Sequence, residues 1–192
     1  MKKRLVSLTL LSVLGAQAFA HEVIYYGTFS GSQEVPSTTS MGSGHAKVTI
    51  DLDTASMLVE CDFVGLTGNV TASHIHIGNG PGTNGGVATP TPSFPAFPHG
   101  GKFGTYTRTF DMSLASSYNA AFITGNGGSV GTAYNAFLQK LAEGKGYWNI
   151  HSSTWAGGEI RANLTAVPEP ASMIALGAGA LALVRRKRSS RQ

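Results

Sequence analysis

The chain has very little cysteine. Cys61 is the single cysteine in 192 residues, so no intramolecular disulfide can form. It alternates with Met57, Val59 and Phe63, a pattern that predicts burial rather than a reactive thiol. No Ser–His–Asp or Cys–His arrangement stands out, which argues against nucleophilic catalysis. There is no internal repeat. The glycine-rich segments lack the strand–turn–helix setting that phosphate binding needs. Basic charge is also scarce once the ends are set aside. The whole chain carries +4, but three basic residues precede position 21 and five follow position 167. Residues 21–167 hold six Lys or Arg against nine Asp or Glu, a net charge of −3. With no basic stripe, a nucleic-acid partner is excluded.

The two ends are where the chain is distinctive. Lys2, Lys3 and Arg4 precede an apolar stretch from Leu5 to Leu14, and Ala18 and Ala20 then place small residues where a signal peptidase reads. This is the pattern of a cleaved secretory signal over residues 1–20, and it makes His21 the mature N-terminus. At the other end, Pro168-Glu169-Pro170 opens an uncharged run from Ala171 to Val184, closed by Arg185-Arg186-Lys187-Arg188. As a helix that run covers about 21 Å, short of the roughly 30 Å hydrocarbon core, so it predicts a marginal membrane helix. The basic cluster stays cytoplasmic by the positive-inside rule, which puts the rest of the chain outside.

The Pro-Glu-Pro motif, short apolar helix and arginine-rich end resemble the PEP-CTERM sorting signal. That resemblance implies a Gram-negative host, recognition by an exosortase, and a membrane intermediate that is cut near the motif. It also implies delivery to the cell surface or extracellular matrix, in a setting that often includes exopolysaccharide and biofilm.

Between the ends, residues 21–166 are expected to form one domain of short strands. His21 to Phe29, Gly44 to Leu52, Met57 to Val64, Val70 to Ile77, Gly104 to Met112, Tyr147 to Ser152 and Glu159 to Leu164 all read as strands. Asp53-Thr54-Ala55-Ser56 reads as a hairpin turn and Pro90 to Pro98 as an extended surface loop. Tyr134, Phe137, Leu138 and Leu141 recur at helical spacing with Gly144 placed to end the helix, and Leu114, Tyr118, Ala121 and Phe122 do so more weakly. The expected fold class is all-β: an antiparallel, immunoglobulin-like β-sandwich with short helical insertions, flanked by the N-terminal signal helix and the C-terminal apolar helix.

Three motifs in order carry a second resemblance. They are Gly31-Ser32-Gln33-Glu34-Val35-Pro36, then His74-Ile75-His76-Ile77-Gly78, then Gly146-Tyr147-Trp148-Asn149-Ile150-His151 with Gly158-Glu159-Ile160-Arg161. Together they resemble the CHRD domain from about Tyr25 to Leu164. The resemblance implies an extracellular immunoglobulin-like domain with no generally established enzymatic activity.

Strand parity gives an independent view of the same residues. If Ile75 and Ile77 face the core, His74 and His76 share the other face. Tyr147, Asn149 and His151 oppose Trp148 and Ile150 in the same way, and Glu159, Arg161 and Asn163 oppose Ile160, Ala162 and Leu164. If the strands are neighbours, His74, His76, His151 and Glu159 share one polar surface. That surface has two readings. One is a hydrogen-bonded structural network of Asn149, Glu159 and Arg161 around the histidines, with no cofactor. The other is a Zn or Cu site with His74, His76, His151 and Glu159 as ligands.

The expected function is a non-catalytic binding or adhesion module at the cell surface. Its partners would be signal peptidase and exosortase during processing, then an exopolysaccharide or a surface protein. A metal-binding sandwich, as an oxidoreductase, is the alternative. A carbohydrate-binding role would use Tyr25, Tyr26, Tyr147, Trp148 and Trp155 as stacking surfaces.

Overall fold

A computed structural model describes residues 21–168. Ala18, Ala20, and the sorting-signal residues Glu169, Pro170, Arg185, Arg186, Lys187 and Arg188 lie outside the described residues, as do both terminal helices expected from the sequence. Among the described residues, no helix is long and apolar enough to cross a membrane.

Nine strands follow in chain order: β1 (Glu22–Ser30), β2 (Ser43–Asp51), β3 (Ser56–Val64), β4 (Val70–Ile77), β5 (Gly86–Val87), β6 (Gly104–Asp111), β7 (Gly146–Ser152), β8 (Ile160–Asn163) and β9 (Thr165–Ala166). Two helices, α1 (Ala120–Gly125) and α2 (Val130–Ala142), stand between β6 and β7. The described strand pairs are antiparallel. They trace one hydrogen-bonded path, β5-β4-β7-β8-β1-β2-β3-β6, with β9 added to β1. The sequence predicted two packed sheets; the pairing instead gives a single sheet that curls into a half-barrel.

The join between the two halves of the path explains the continuity. β1 pairs along its whole length with β2, yet meets β8 through Ser30–Arg161 and β9 through Tyr25 and Tyr26. Gly27 lies between these contacts. A Cβ there would stand 2.7 Å from the Asn163 carbonyl oxygen and 2.9 Å from the Ala162 Cβ, so the missing side chain lets β8 cross close to β1.

Alternating apolar residues from the strands fill the concave side. Phe29, Val48, Ile50, Met57, Val59, Ile75, Trp148, Ile150 and Ile160 are fully buried. Trp148 sits among them edge-on to Phe29 and Phe94 at centroid distances of 6.0 and 5.3 Å. Its indole N–H donates to Ser73 Oγ at 2.7 Å, so its polar atom is satisfied in the core. Cys61 is buried as expected.

The proline-rich stretch departs from its expected role. Phe94 and Phe97 are buried, and the Phe94 amide donates to the Ser73 carbonyl at 2.8 Å. Phe94 packs on Tyr106 and Phe110, and Phe97 stacks on Phe63 at 5.7 Å. The segment therefore bridges β4 to β6 across the open side of the curl. Its two phenylalanines gain from burial what a surface loop would leave exposed to water. The helical reading holds for α2. Ser129 caps its start in a reciprocal pair with Thr132, Ala133, Phe137 and Leu141 face inward, and Gly144 follows its end at φ +70°.

Candidate functional site

β4 and β7 pair in a register that sets His74 opposite Asn149, His76 opposite Tyr147, and Ala72 opposite His151. Parity then puts the three histidines on the face away from Trp148, Ile75 and Ile150. This face is not open to solvent as the sequence suggested. His74 is 6 % exposed, Asn149 1 % and Tyr147 3 %, because loops fold over the strands and bury them on both sides.

The three imidazoles converge. One ring nitrogen from each of His74, His76 and His151 lies within 4.8 Å of the others. The Nε2 atoms of His74 and His151 are 2.9 Å apart. Backbone carbonyls hold the outer sides of two rings. His76 Nδ1 donates to the Gly85 carbonyl and His151 Nδ1 to the Ala156 carbonyl, each at 2.8 Å. These bonds place the proton of each neutral ring on Nδ1 and leave Nε2 as a lone pair. His74 Nδ1 has no hydrogen-bond partner of good geometry, although the Pro92 backbone lies near enough to favour its protonation. His76 Nε2 is also buried without a partner. His76 stacks on Tyr147 at 4.7 Å with the planes 6° apart, and this fixes its ring orientation.

All three rings are held neutral. Burial pushes His74 down to about 3, helped by the neighbouring His76 and His151. Burial likewise pushes His76 down to about 4, against the opposing effect of the Gly85 carbonyl, and lowers His151. His76 and His151 are neutral imidazoles with carbonyl-anchored outer nitrogens and Nε2 lone pairs, the form in which histidine ligates transition metals, while His74 Nε2–H donates to His151 Nε2 in the metal-free cluster.

Glu159 does not join them, and its expected role as a fourth ligand is corrected. Its carboxylate accepts from the Thr67 amide, the Gly68 amide at 3.2 Å, Ser40 Oγ at 2.6 Å and Ser152 Oγ. Burial opposes ionisation here, but these donors outweigh it and hold the carboxyl below its ordinary pKa. The parity argument placed Glu159 inside the last strand, whereas β8 begins at Ile160 and Glu159 lies at the turn that precedes it.

Arg161, expected in a network with Asn149 and Glu159 around the histidines, pairs instead with Glu34, 127 positions away, through Nε at 3.0 Å and Nη2 at 2.9 Å. It further donates to the Thr83 carbonyl at 2.9 Å and to Asn84 Oδ1 at 2.6 Å, and lies 3.8 Å above the Tyr147 ring. Arg161 therefore ties the 31–36 and 78–86 loops over β7 and β8. Asn149 does belong to this polar layer, with its carboxamide beside both Glu34 and His76. Sequence reasoning missed Glu34 as the arginine's partner, although it stands in the first of the three motifs. The carbohydrate reading loses most of its surface, since Tyr25, Tyr147 and Trp148 are buried and Tyr26 is 48 % exposed.

The polar layer thus joins all three motif segments: Glu34 from the first, His74 and His76 from the second, Asn149, His151 and Arg161 from the third. The family model of the CHRD domain matches residues 25–164 and spans all three. The chain belongs to the CHRD domain family. Directly after the CHRD domain, residues 166–189 match the PEP-CTERM protein-sorting motif. The motif marks this CHRD protein for exosortase processing and for export to the cell surface or extracellular space. Neither the curated proteins nor the solved structures compared with it give a match.

Proposed function

We propose that this CHRD protein is a non-catalytic binding module of the cell surface or matrix that holds a transition-metal ion, Zn or Cu, at His74, His76 and His151. One observation carries this reading: three neutral imidazoles from adjacent strands bring one ring nitrogen each within 4.8 Å of the others, and carbonyls of Gly85 and Ala156 anchor two of them from outside. In a purely structural network each buried nitrogen would be paired, whereas His74 Nδ1 and His76 Nε2 have no partner. The ring nitrogens sit at spacings that small side-chain rotations bring to a common ion, with Zn–N near 2.0–2.1 Å. Delivery by the sorting motif, with a membrane intermediate before processing, would carry the metal centre outside the cell, where exopolysaccharide adhesion or biofilm cohesion is its expected use.

Calorimetry and elemental analysis of the purified protein test the metal. We expect one equivalent of Zn or Cu, a raised Tm on loading, and loss of both effects in His74→Ala and His76→Ala. A folded wild type that takes up neither metal overturns the proposal. Cell adhesion or matrix retention that falls in the same variants supports the surface role; unchanged retention removes it while leaving the metal centre in place.

A further inference from the structure

Beside the three histidines lies one more buried acceptor that lacks a donor: Asn149 is 1 % exposed and its Oδ1 has no partner. Glu34, 4 % exposed, gives its Oε2 to Arg161 and turns its other oxygen toward the Asn149 amide. The Asn149 carboxamide adjoins the His76 ring on one side and the Glu34 carboxylate on the other, since it favours the charged form of both. His76 Nε2 is an acceptor as well, because its proton resides on Nδ1. A lone pair on His76 and a lone pair on Asn149 thus share one dry place with no hydrogen between them. Buried acceptors in such a place call for a cation or for a ligand that donates.

Gly158 shows how closely the chain is drawn around these groups. A Cβ at this position would stand 2.5 Å from Glu34 Oε1 and 2.8 Å from Asn149 Nδ2, and its φ of +128° is one that L side chains rarely adopt. Glycine here lets the turn that carries Ala156, the anchor of His151, close against Asn149 and Glu34.

Building on the metal reading above, we infer that the ion bound by His74, His76 and His151 keeps one exchangeable coordination position, facing Asn149, for a small hydrogen-bond-donating ligand such as water or an amine. Three imidazoles leave a four-coordinate ion one donor short. A water on a dication is a strong donor, and Asn149 Oδ1 is the buried acceptor that receives it. Glu34, fixed by Arg161, orients the Asn149 amide from behind. Asn149 is in this sense a positioning residue for whatever occupies the fourth position.

Cobalt(II) loading of the purified full-length protein tests this, because its visible spectrum reports coordination directly. Wild type is expected to show four-coordinate absorption that shifts saturably as imidazole or azide replaces the bound water. Asn149→Leu should weaken Co(II) and Zn(II) affinity about 10- to 100-fold. Asn149→Asp, close in shape, should tighten it and make the spectrum resist imidazole; it serves as the folded control if Asn149→Leu misfolds. Bound cobalt whose spectrum ignores both added ligands overturns this inference and leaves the metal site standing, as does unaltered affinity and ligand response in both Asn149 variants. Failure to bind cobalt or zinc at all instead overturns the metal reading itself.

Discussion

His74 and His151 stand 77 positions apart in the chain, yet their Nε2 atoms lie 2.9 Å from one another. The β4–β7 register produces this approach by pairing Ala72 with His151, which sets His151 two places along from Asn149, the partner of His74. His74 Nε2–H donates to the lone pair of His151 across this contact, and the burial of the cluster resists any positive charge on it, which has consequences for pH.

Acidification should destabilise the metal-free protein. The ordinary histidine value is 6.5, whereas burial holds His74 at about 3 and His76 at about 4. Below the ordinary value the unfolded chain takes up protons that the native cluster refuses. Stability from this source is therefore full above pH 6.5 and is lost progressively as pH falls toward the folded values. Urea titrations at pH 7.5, 6 and 5 should show the loss, and His76→Gln should flatten it. Equal stability at all three pH values in the metal-free wild type would contradict the neutral cluster.

Removing Glu159 should be severe for folding and mild for metal. Glu159→Ala removes the acceptor of the buried Gly68 amide and Ser152 hydroxyl and of the more accessible Thr67 amide and Ser40 hydroxyl. Each unsatisfied buried group costs about 1–3 kcal/mol before relaxation. A loss of at least ~3 kcal/mol by chemical denaturation is expected. In Glu159→Gln, which keeps two or more of these bonds, a smaller loss with metal stoichiometry unchanged is expected. If that variant loses metal while remaining folded, Glu159 is a ligand after all.

The Glu34–Arg161 pair should show strong coupling. Both side chains are almost fully buried, so Arg161→Met leaves an uncompensated carboxylate and costs about 3–5 kcal/mol. Burial already raises the Glu34 pKa in spite of the arginine, so the single variant should keep its Glu34 proton to a higher pH than wild type. Adding Glu34→Gln should recover part of the loss. A double-mutant cycle with coupling below about 0.5 kcal/mol would refute the pairing.

Cys61 should be inert in the native protein. Burial pushes its thiol pKa up, and the neighbouring Asp62 adds to the effect. Thiol reagents at pH 8 should react at the rate of global unfolding, and fast labelling of the folded protein would show the site to be open.

Truncation should separate delivery from binding. A chain lacking Val167 to Gln192 loses the PEP-CTERM motif that spans residues 166–189. It should leave the cytoplasm yet fail to be processed and displayed, which fractionation and surface labelling will read. Unchanged surface display would remove the exosortase route.

Much of the fold was legible in short-range pattern. Alternation in Lys47 to Leu52 and Met57 to Phe63 marked β2 and β3, and the turn at 53–56 joined them in the expected hairpin. The 3.6-residue spacing of Tyr134, Phe137, Leu138 and Leu141 and the following Gly144 marked α2, while the structure supplied its Ser129 cap. These signals succeed because period and capping act within one element. Pro90 to Pro98 misled because proline reports on backbone dihedrals and is silent about where Phe94 and Phe97 go.

What the sequence by itself determined was the sorting motif at the C-terminal end, the all-β class and the side of each strand on which His74, His76, Asn149 and His151 stand. Those follow from local composition and from the two-residue period of a strand. Only the tertiary structure decided that one curled sheet replaces two, that Glu159 serves four backbone and hydroxyl donors, and that Arg161 turns to Glu34. Register and loop closure join residues more than a hundred positions apart, and every carboxylate near a cationic or donor-rich place competes for it. Which one wins depends on distances that no spacing along the chain contains.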